Sequence, residues 1–328
     1  MKEIQDILTS IFNIQSEEDF NQSALEVFDY QYQYSNVYKQ FCNQLGKHSP
    51  KTYQDIPFLP ISFFKTHRIL SSQVETDDLL VFKSSGTTLG KRSQHFVPYP
   101  EVYEKSFLET FSKQFINPKE AIILALLPNY IEQGNSSLVY MVDRLIKESA
   151  HPLSGFYLFK PKELINVIEK SKKENRQVVL FGVSYALLDF ADYNVDLEGV
   201  KVIETGGMKG RRKEMIKDEL HEVLKKKFKI CAIYSEYGMT ELMSQAYTDG
   251  TTFFQTPPWM KIRIRDINDP LEFIGENKTG GVNVIDLANL FSCSFIATDD
   301  LGSLSENKFK ILGRFDSSDI RGCNLLVN

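Results

Sequence analysis

Five short apolar runs, separated by helical stretches, constrain this chain more than any other feature. They are Leu79 to Phe82, Ala121 to Leu127, Val178 to Phe181, Val200 to Ile203 and Ile230 to Tyr234. Each is too short for a buried helix and is rich in residues that suit strands. Pro128 stops the second and Gly182 closes the third. Between them, helical patterns occupy Glu101 to Gln114, 136–148 and 161–174. A further helix is read where Ile216, Leu220, Val223 and Leu224 recur at i, i+4, i+7 and i+8. Strands alternating with helices of this length imply βαβ units and a mostly parallel sheet, buried on both faces. The expected fold class is α/β.

The flanks read differently. Residues 1–45 are helical in pattern, aromatic-rich and free of glycine. Ile56-Pro57-Phe58-Leu59-Pro60 is extended, because proline disfavours helix both in itself and before itself. After about residue 245 come short strands at 260–265, 282–287, 293–297 and 308–312, broken by Gly, Asn and Asp turns. The expected organisation is a helical region over 1–50, an α/β core over 51–245, a small β-rich subdomain over 246–312 and a short tail over 313–328.

A chain of 328 residues buries a large core without disulfides. Its net charge of −5 argues against general nucleic-acid binding. Cys42, Cys231, Cys293 and Cys323 show no C-x-x-C spacing, so free thiols in a reducing compartment are expected. Glu3 and Asp6 stand where a signal peptide would be basic, then apolar. The run Ala121 to Leu127 is far too short to span a bilayer. A cytoplasmic location is the expectation.

Ser84-Ser85-Gly86-Thr87-Thr88-Leu89-Gly90-Lys91-Arg92-Ser93 follows the first strand directly. Gly86 and Gly90 permit tight turns and close approach of backbone to a ligand. Four hydroxyls and the backbone N–H groups could form an anion nest, with charge from Lys91 and Arg92. Three residues separate the glycines and Arg92 precedes Ser93, so this is not a Walker A loop. Polar loops of this composition also occur without ligands, and the loop alone leaves both readings open.

Three further segments stand at strand ends or turns. Thr205-Gly206-Gly207-Met208 ends a strand where α/β proteins bind ligands, and its glycines would let a flat group lie on bare backbone. Tyr237-Gly238-Met239-Thr240-Glu241 offers a ring to stack on a base, a hydroxyl for phosphate and a carboxylate for Mg²⁺. Thr298-Asp299-Asp300-Leu301-Gly302 reads as a turn, and Asp300 could accept hydrogen bonds from ribose. Each also has a bland reading, as a strand-to-helix turn or an acidic surface turn. Gly313-Arg314 and Arg321-Gly322-Cys323 follow.

Taken together and in this order, these segments resemble the core of the adenylate-forming superfamily, and within it the acyl-protein synthetases of the LuxE type. Pro57-Phe58-Leu59-Pro60, Thr205-Gly206-Gly207 and a cysteine in the final Arg-Gly-Cys stretch carry the narrower likeness. The resemblance implies that Ser84, Ser85, Gly86, Thr87, Thr88, Gly90 and Lys91 cradle the phosphates of ATP. It implies that Gly206, Gly207, Tyr237 and Gly238 border adenine. Thr240 and Glu241 would serve phosphate and Mg²⁺, Asp300 ribose with Arg314 nearby, and Cys323 the acyl group as a thioester. Leu89 departs from the family pattern, which favours glycine there. Only 15 residues follow Gly313, where larger relatives continue into a mobile lid carrying a lysine. The lid is therefore expected to be truncated, and Lys91, Arg92, Arg211 or Arg212 could offset phosphate charge in its place.

The implied activity is ATP-dependent formation of an acyl-adenylate from a carboxylic acid, with a fatty acid as the family-based expectation. Transfer to Cys323 and hand-on to a reductase, acyl carrier protein or acyltransferase would follow. Coenzyme A as acceptor, or a non-catalytic nucleotide- or acyl-binding partner, are the rival readings. Cys42, Cys231 and Cys293 read as structural, with Cys231 in a core strand. His95 reads as a polar contact behind the phosphate loop. Phe181 to Tyr185 could line an acyl pocket in which Gly182 leaves room for the chain.

Overall fold

A computed structural model describes residues 4–74, 79–84, 91–128, 135–206 and 215–315. The chain forms two compact units, one from Met1–Asp77 with Pro258–Asn328 and the other from Asp78–Pro257.

The first unit opens with α1 (Ile4–Phe12), α2 (Glu17–Tyr34) and α3 (Asn36–Gln44). Ser16 caps α2 in a reciprocal box: its hydroxyl accepts from Asp19 N–H while the Asp19 carboxylate accepts from Ser16 N–H. The short β1 (Leu59–Pro60) and α4 (Phe63–Thr66) follow.

The second unit contains β2 (Leu80–Lys83), β3 (Gln94–Val97), α5 (Pro100–Gln114), β4 (Ala121–Leu126), α6 (Ser137–Ser149), β5 (Gly155–Phe156) and α7 (Pro161–Ser171). It continues through β6 (Gln177–Val183), α8 (Ser184–Ala191), β7 (Val200–Thr205), α9 (Lys217–Phe228), β8 (Tyr234–Tyr237), β9 (Ala246–Thr248) and β10 (Phe254–Gln255). Proline at the first turn of α5 and of α7 supplies a preset φ where no N–H is needed. Strands β5, β4, β6, β7 and β8 pair in parallel, and β9 and β10 extend the sheet antiparallel. Every residue of β4 is buried, and so is all of β6 beyond Gln177, as a sheet covered on both faces requires. The α/β class with a mostly parallel sheet is thus the observed one. Strands β2 and β3 form a separate antiparallel hairpin.

The chain then returns to the first unit with β11 (Met260–Arg265), β12 (Gly280–Asp286), β13 (Phe295–Ser305) and β14 (Lys308–Arg314). These form an antiparallel meander, and β1 pairs parallel with β13. Gln31 of α2 is buried and ties the helices to this sheet: its Nε2 donates to the carbonyls of Asn289 and Leu290, both at 2.9 Å, while its Oε1 accepts from Ser294 N–H. Trp259 is fully buried, edge-on to Phe12 with ring centres 4.9 Å apart.

Several expectations shift. The strand expected over Ile230 to Tyr234 runs instead over Tyr234–Tyr237. Helix α9 ends on Lys229 in the left-handed conformation (φ 57°), and the next few residues turn the chain back to the sheet. Cys231 lies in that turn and is exposed, so it is no core residue. Ile216 precedes α9 and is exposed; the buried face is Leu220, His221, Leu224 and Phe228. Gly182 lies inside β6 rather than closing it. Asp299 and Asp300 sit within β13, where pairing with β14 replaces the expected turn.

Candidate active site

The β2–β3 hairpin flanks the segment Ser84 to Ser93, the candidate phosphate loop of the sequence. Its base is closed by Ser84 and Ser93: Ser84 N–H donates to the Ser93 carbonyl at 3.1 Å, and the Ser84 hydroxyl accepts from Ser93 N–H at 3.0 Å. Lys91 and Arg92 are exposed beside this closure. Ser85, Gly86, Thr87, Thr88, Leu89 and Gly90 lie outside the described residues, as do Gly207, Met208, Arg211, Arg212, Arg321 and Cys323.

His95, one turn of the pleat beyond Ser93, is buried, and its Nδ1 lies 2.8 Å from the Thr240 carbonyl oxygen. A carbonyl only accepts, so Nδ1 carries the proton. This bond joins the hairpin that carries the loop to the segment Tyr237 to Glu241. Tyr237 ends β8 and is buried beside Phe254, ring centres 5.8 Å apart. Glu241 is buried at 5% exposure. Thr205 ends β7, and Gly206 follows with φ 70°, a conformation glycine adopts at little cost.

Two carboxylates that sequence reasoning missed stand between these turns. On one face of the sheet, Glu204 is fully enclosed. Its Oε1 accepts from Ser184 Oγ at 2.5 Å and its Oε2 from Ser235 Oγ at 3.1 Å, while Lys217 Nζ lies 3.4 Å away. Ser235 donates to Glu204, so His221 Nε2–H donates to Ser235 Oγ, at 3.2 Å. Burial opposes ionisation of Glu204, but Lys217, His221 and Ser184 outweigh it and hold the carboxyl down at about 2. On the other face, Glu236 Oε2 accepts from Thr205 Oγ1 at 2.5 Å. Glu236 is crowded by protein yet keeps a solvent-facing edge. Desolvation, with the negative Glu204 nearby, raises it to about 7, against the pull of Thr205 and Lys217. In the sequence, Val202-Ile203-Glu204-Thr205 and Tyr234-Ser235-Glu236-Tyr237 carry no mark that separates these two acids from surface ones.

Lys217 also lies 4.9 Å over the Phe254 ring, which continues the cluster towards Tyr237. The suggestion that Gly182 opens an acyl pocket is overturned. A side chain there would meet Leu187 Cγ at 2.6 Å, so α8 already fills the space, and the Ser184 hydroxyl is taken by Glu204.

In the first unit, Asp300 and Arg314 come together across β13 and β14. Arg314 Nε donates to Asp300 Oδ1 at 3.0 Å, and Asp300 N–H donates to Thr298 Oγ1. Asp300 is buried whereas the Arg314 side chain is 71% exposed.

The sequence model of the acyl-protein synthetase LuxE family matches residues 5–97 and 138–328. The chain belongs to this LuxE family. No curated protein sequence matches it. Among solved structures, MatB from Rhodopseudomonas palustris is 17% identical, with a TM-score of 0.55, over 71% of this chain and 47% of MatB. A 2-hydroxyisobutyryl-CoA ligase is 11% identical, with a TM-score of 0.65, over 93% of this chain and 72% of the ligase. McyG A-PCP is 18% identical, with a TM-score of 0.51, over 75% of this chain and 48% of McyG. At these identities the likeness establishes a fold shared by this LuxE-family chain and adenylate-forming enzymes. The chain spans about half the length of the MatB structure. No helix among the described residues is long and apolar enough to cross a membrane.

Proposed function

We propose that this chain activates a carboxylic acid with ATP, releasing pyrophosphate, and passes the acyl group to a thiol. The observation that carries the reading is the hydrogen bond from His95 to the Thr240 carbonyl, which links the phosphate-loop hairpin to the Glu241 segment inside one unit. LuxE-family membership supports it. So do the contents of the related structures: ATP in MatB, 2-HIB-AMP with CoA in the hydroxyisobutyryl ligase, and phenylalanyl-adenylate in McyG.

The acid is ionised at neutral pH, so no general base is required. One carboxylate oxygen attacks the α-phosphorus of ATP, the bond to the β-phosphate oxygen breaks, and pyrophosphate leaves. Catalysis then consists of alignment and neutralisation of phosphate charge. Ser84 and the hydroxyls at 85, 87 and 88 would hold phosphate oxygens, with Lys91 adding charge. Gly206, Gly207, Tyr237 and Gly238 would border adenine. Asp300 would take ribose hydroxyls, with Arg314 fixing its carboxylate.

Among the described residues no three His, Cys, Asp or Glu side chains converge as a metal cage. A single carboxylate, that of Glu241, suits a cation that keeps water and substrate oxygens, as Mg²⁺ does. Bound there, Mg²⁺ would supply charge neutralisation at the phosphates.

In the second half, a thiolate attacks the acyl carbonyl of the mixed anhydride and AMP leaves. Cys323 is the acceptor by family resemblance, with a fatty acid as the substrate class. Burial pushes the Cys42 thiol up to about 12 and raises Cys293 further, which removes both as nucleophiles. Cys231 is exposed and serves as the control thiol. The test is pyrophosphate release with MgATP and a panel of carboxylic acids. Acid-dependent release supports adenylation, and its absence across chain lengths counts against it. Release that turns over only with added coenzyme A would assign the thiol to the cofactor instead of Cys323.

A further inference from the structure

We propose that Glu236 is a positioning residue for ATP: by accepting from Thr205 and occupying the space over Gly238, it sets the separation of the two turns that would enclose adenine. The proposal rests on the adenylation reading and adds a residue that family resemblance does not assign.

Three observations carry it. First, parallel pairing of Ile203 with Tyr234 and Glu204 with Ser235 places Thr205 and Glu236 side by side on one face, at the last rungs of β7 and β8. The 2.5 Å bond between them therefore closes the sheet where both strands give way to turns. Second, a side chain at Gly238 would collide with Glu236 Oε1. The glutamate has folded back over its own turn, and its carboxylate occupies the space a Cβ at residue 238 would take. Third, Glu236 keeps a solvent-facing edge although protein surrounds it, as expected of a group in the wall of a cleft.

A sheet needs no buried acid at this position for stability; an apolar residue would be the cheaper occupant. An acid stationed between Thr205-Gly206 on one side and Tyr237-Gly238 on the other is instead suited to holding these two strand ends at a fixed gap. Preorganisation of that kind is read in ligand affinity.

The experiment is calorimetric titration of MgATP, without acid substrate, into the full-length protein and its variants, each checked for folding by circular dichroism. Glu236→Ala is expected to weaken MgATP binding at least tenfold, and Glu236→Gln, which keeps the acceptor and the length, to restore most of it. Gly238→Ala, which displaces the carboxylate without removing it, is expected to weaken binding similarly. The double variant Glu236→Ala with Gly238→Ala should be little worse than Glu236→Ala alone, because the collision has gone. Should Glu236→Ala fail to fold, Thr205→Val removes the donor alone and is expected to weaken binding threefold or more. A folded Glu236→Ala protein that binds MgATP as tightly as wild type overturns the inference and leaves the adenylation reading standing. Wild type that binds no MgATP overturns both.

Discussion

His95 donates through Nδ1 to the Thr240 carbonyl at 2.8 Å, from a position that is 1% exposed. The bond spans 145 residues of sequence and fixes the backbone directly before Glu241. His95→Ala leaves that carbonyl without its partner, a loss of about 1 kcal/mol in alignment. The KM for MgATP should rise about fivefold by that figure, with a smaller change in the KM for the acid. His95→Asn, whose amide nitrogen overlays Nδ1, should recover most of the loss. Initial-rate pyrophosphate assays separate these outcomes.

Glu204 and Glu236 pull stability in opposite directions with pH. The ionised Glu204 is favoured in the fold, with its carboxyl near 2 against an ordinary value of 4.5. Its contribution is present above pH 4.5 and is lost as pH falls towards 2, ~3 kcal/mol by linkage. Glu236 is raised to about 7, so the fold favours its protonated form, and stability declines as pH rises from 4.5 through 7. The charged and titratable groups facing it are Glu204, Lys217, Tyr103 and Tyr247. Urea melts at pH 2, 4, 6 and 8 should show Glu204→Gln below wild type at pH 4, 6 and 8, converging on it only near pH 2. Glu236→Gln should exceed wild type at pH 8 and match it near pH 4.

Much of the architecture was legible because its signals are local. The apolar runs at 121–127 and 178–181 have one compatible environment, a sheet covered on both faces. The strand at 230–234 was displaced because Ile230 and Ile233 carry the same hydrophobic signal as a strand, whereas the left-handed turn at Lys229 leaves no mark that sequence can show. Asp299 and Asp300 read as a turn since adjacent aspartates usually are one; here the pairing of Asp300 with Arg314, and the Phe315 N–H donated to the Asp299 carbonyl, override that preference. For the candidate site, the glycine and hydroxyl segments stand out at strand ends, and their proposed roles come from the family resemblance. Glu204 and Glu236 escaped, because a buried acid is recognisable only once Lys217, Ser184 and Thr205 are seen around it.

Gln31 uses its whole carboxamide in the first unit, donating to two carbonyls and accepting from Ser294. Gln31→Ala strands these buried groups and should cost about 3 kcal/mol. The urea midpoint should fall with the slope unchanged, without effect on MgATP affinity of the folded protein.

Thiol labelling sorts the cysteines. Cys231 should react with iodoacetamide in the native protein, whereas Cys42 and Cys293 should label only in denaturant, being buried with raised thiol pKa values. Peptide mapping of the labelled sites decides it.

The central claim, activation of an acid with ATP and capture on the protein's own thiol, is tested most directly by intact-mass spectrometry. The protein is incubated with MgATP and carboxylic acids of graded chain length, before and after neutral hydroxylamine. The account predicts an ATP-dependent acyl adduct that hydroxylamine removes, that Cys323→Ser abolishes and that Cys231→Ser retains. An adduct that survives in Cys323→Ser would contradict the assigned acceptor, and no adduct with no acid-dependent pyrophosphate would contradict the account as a whole.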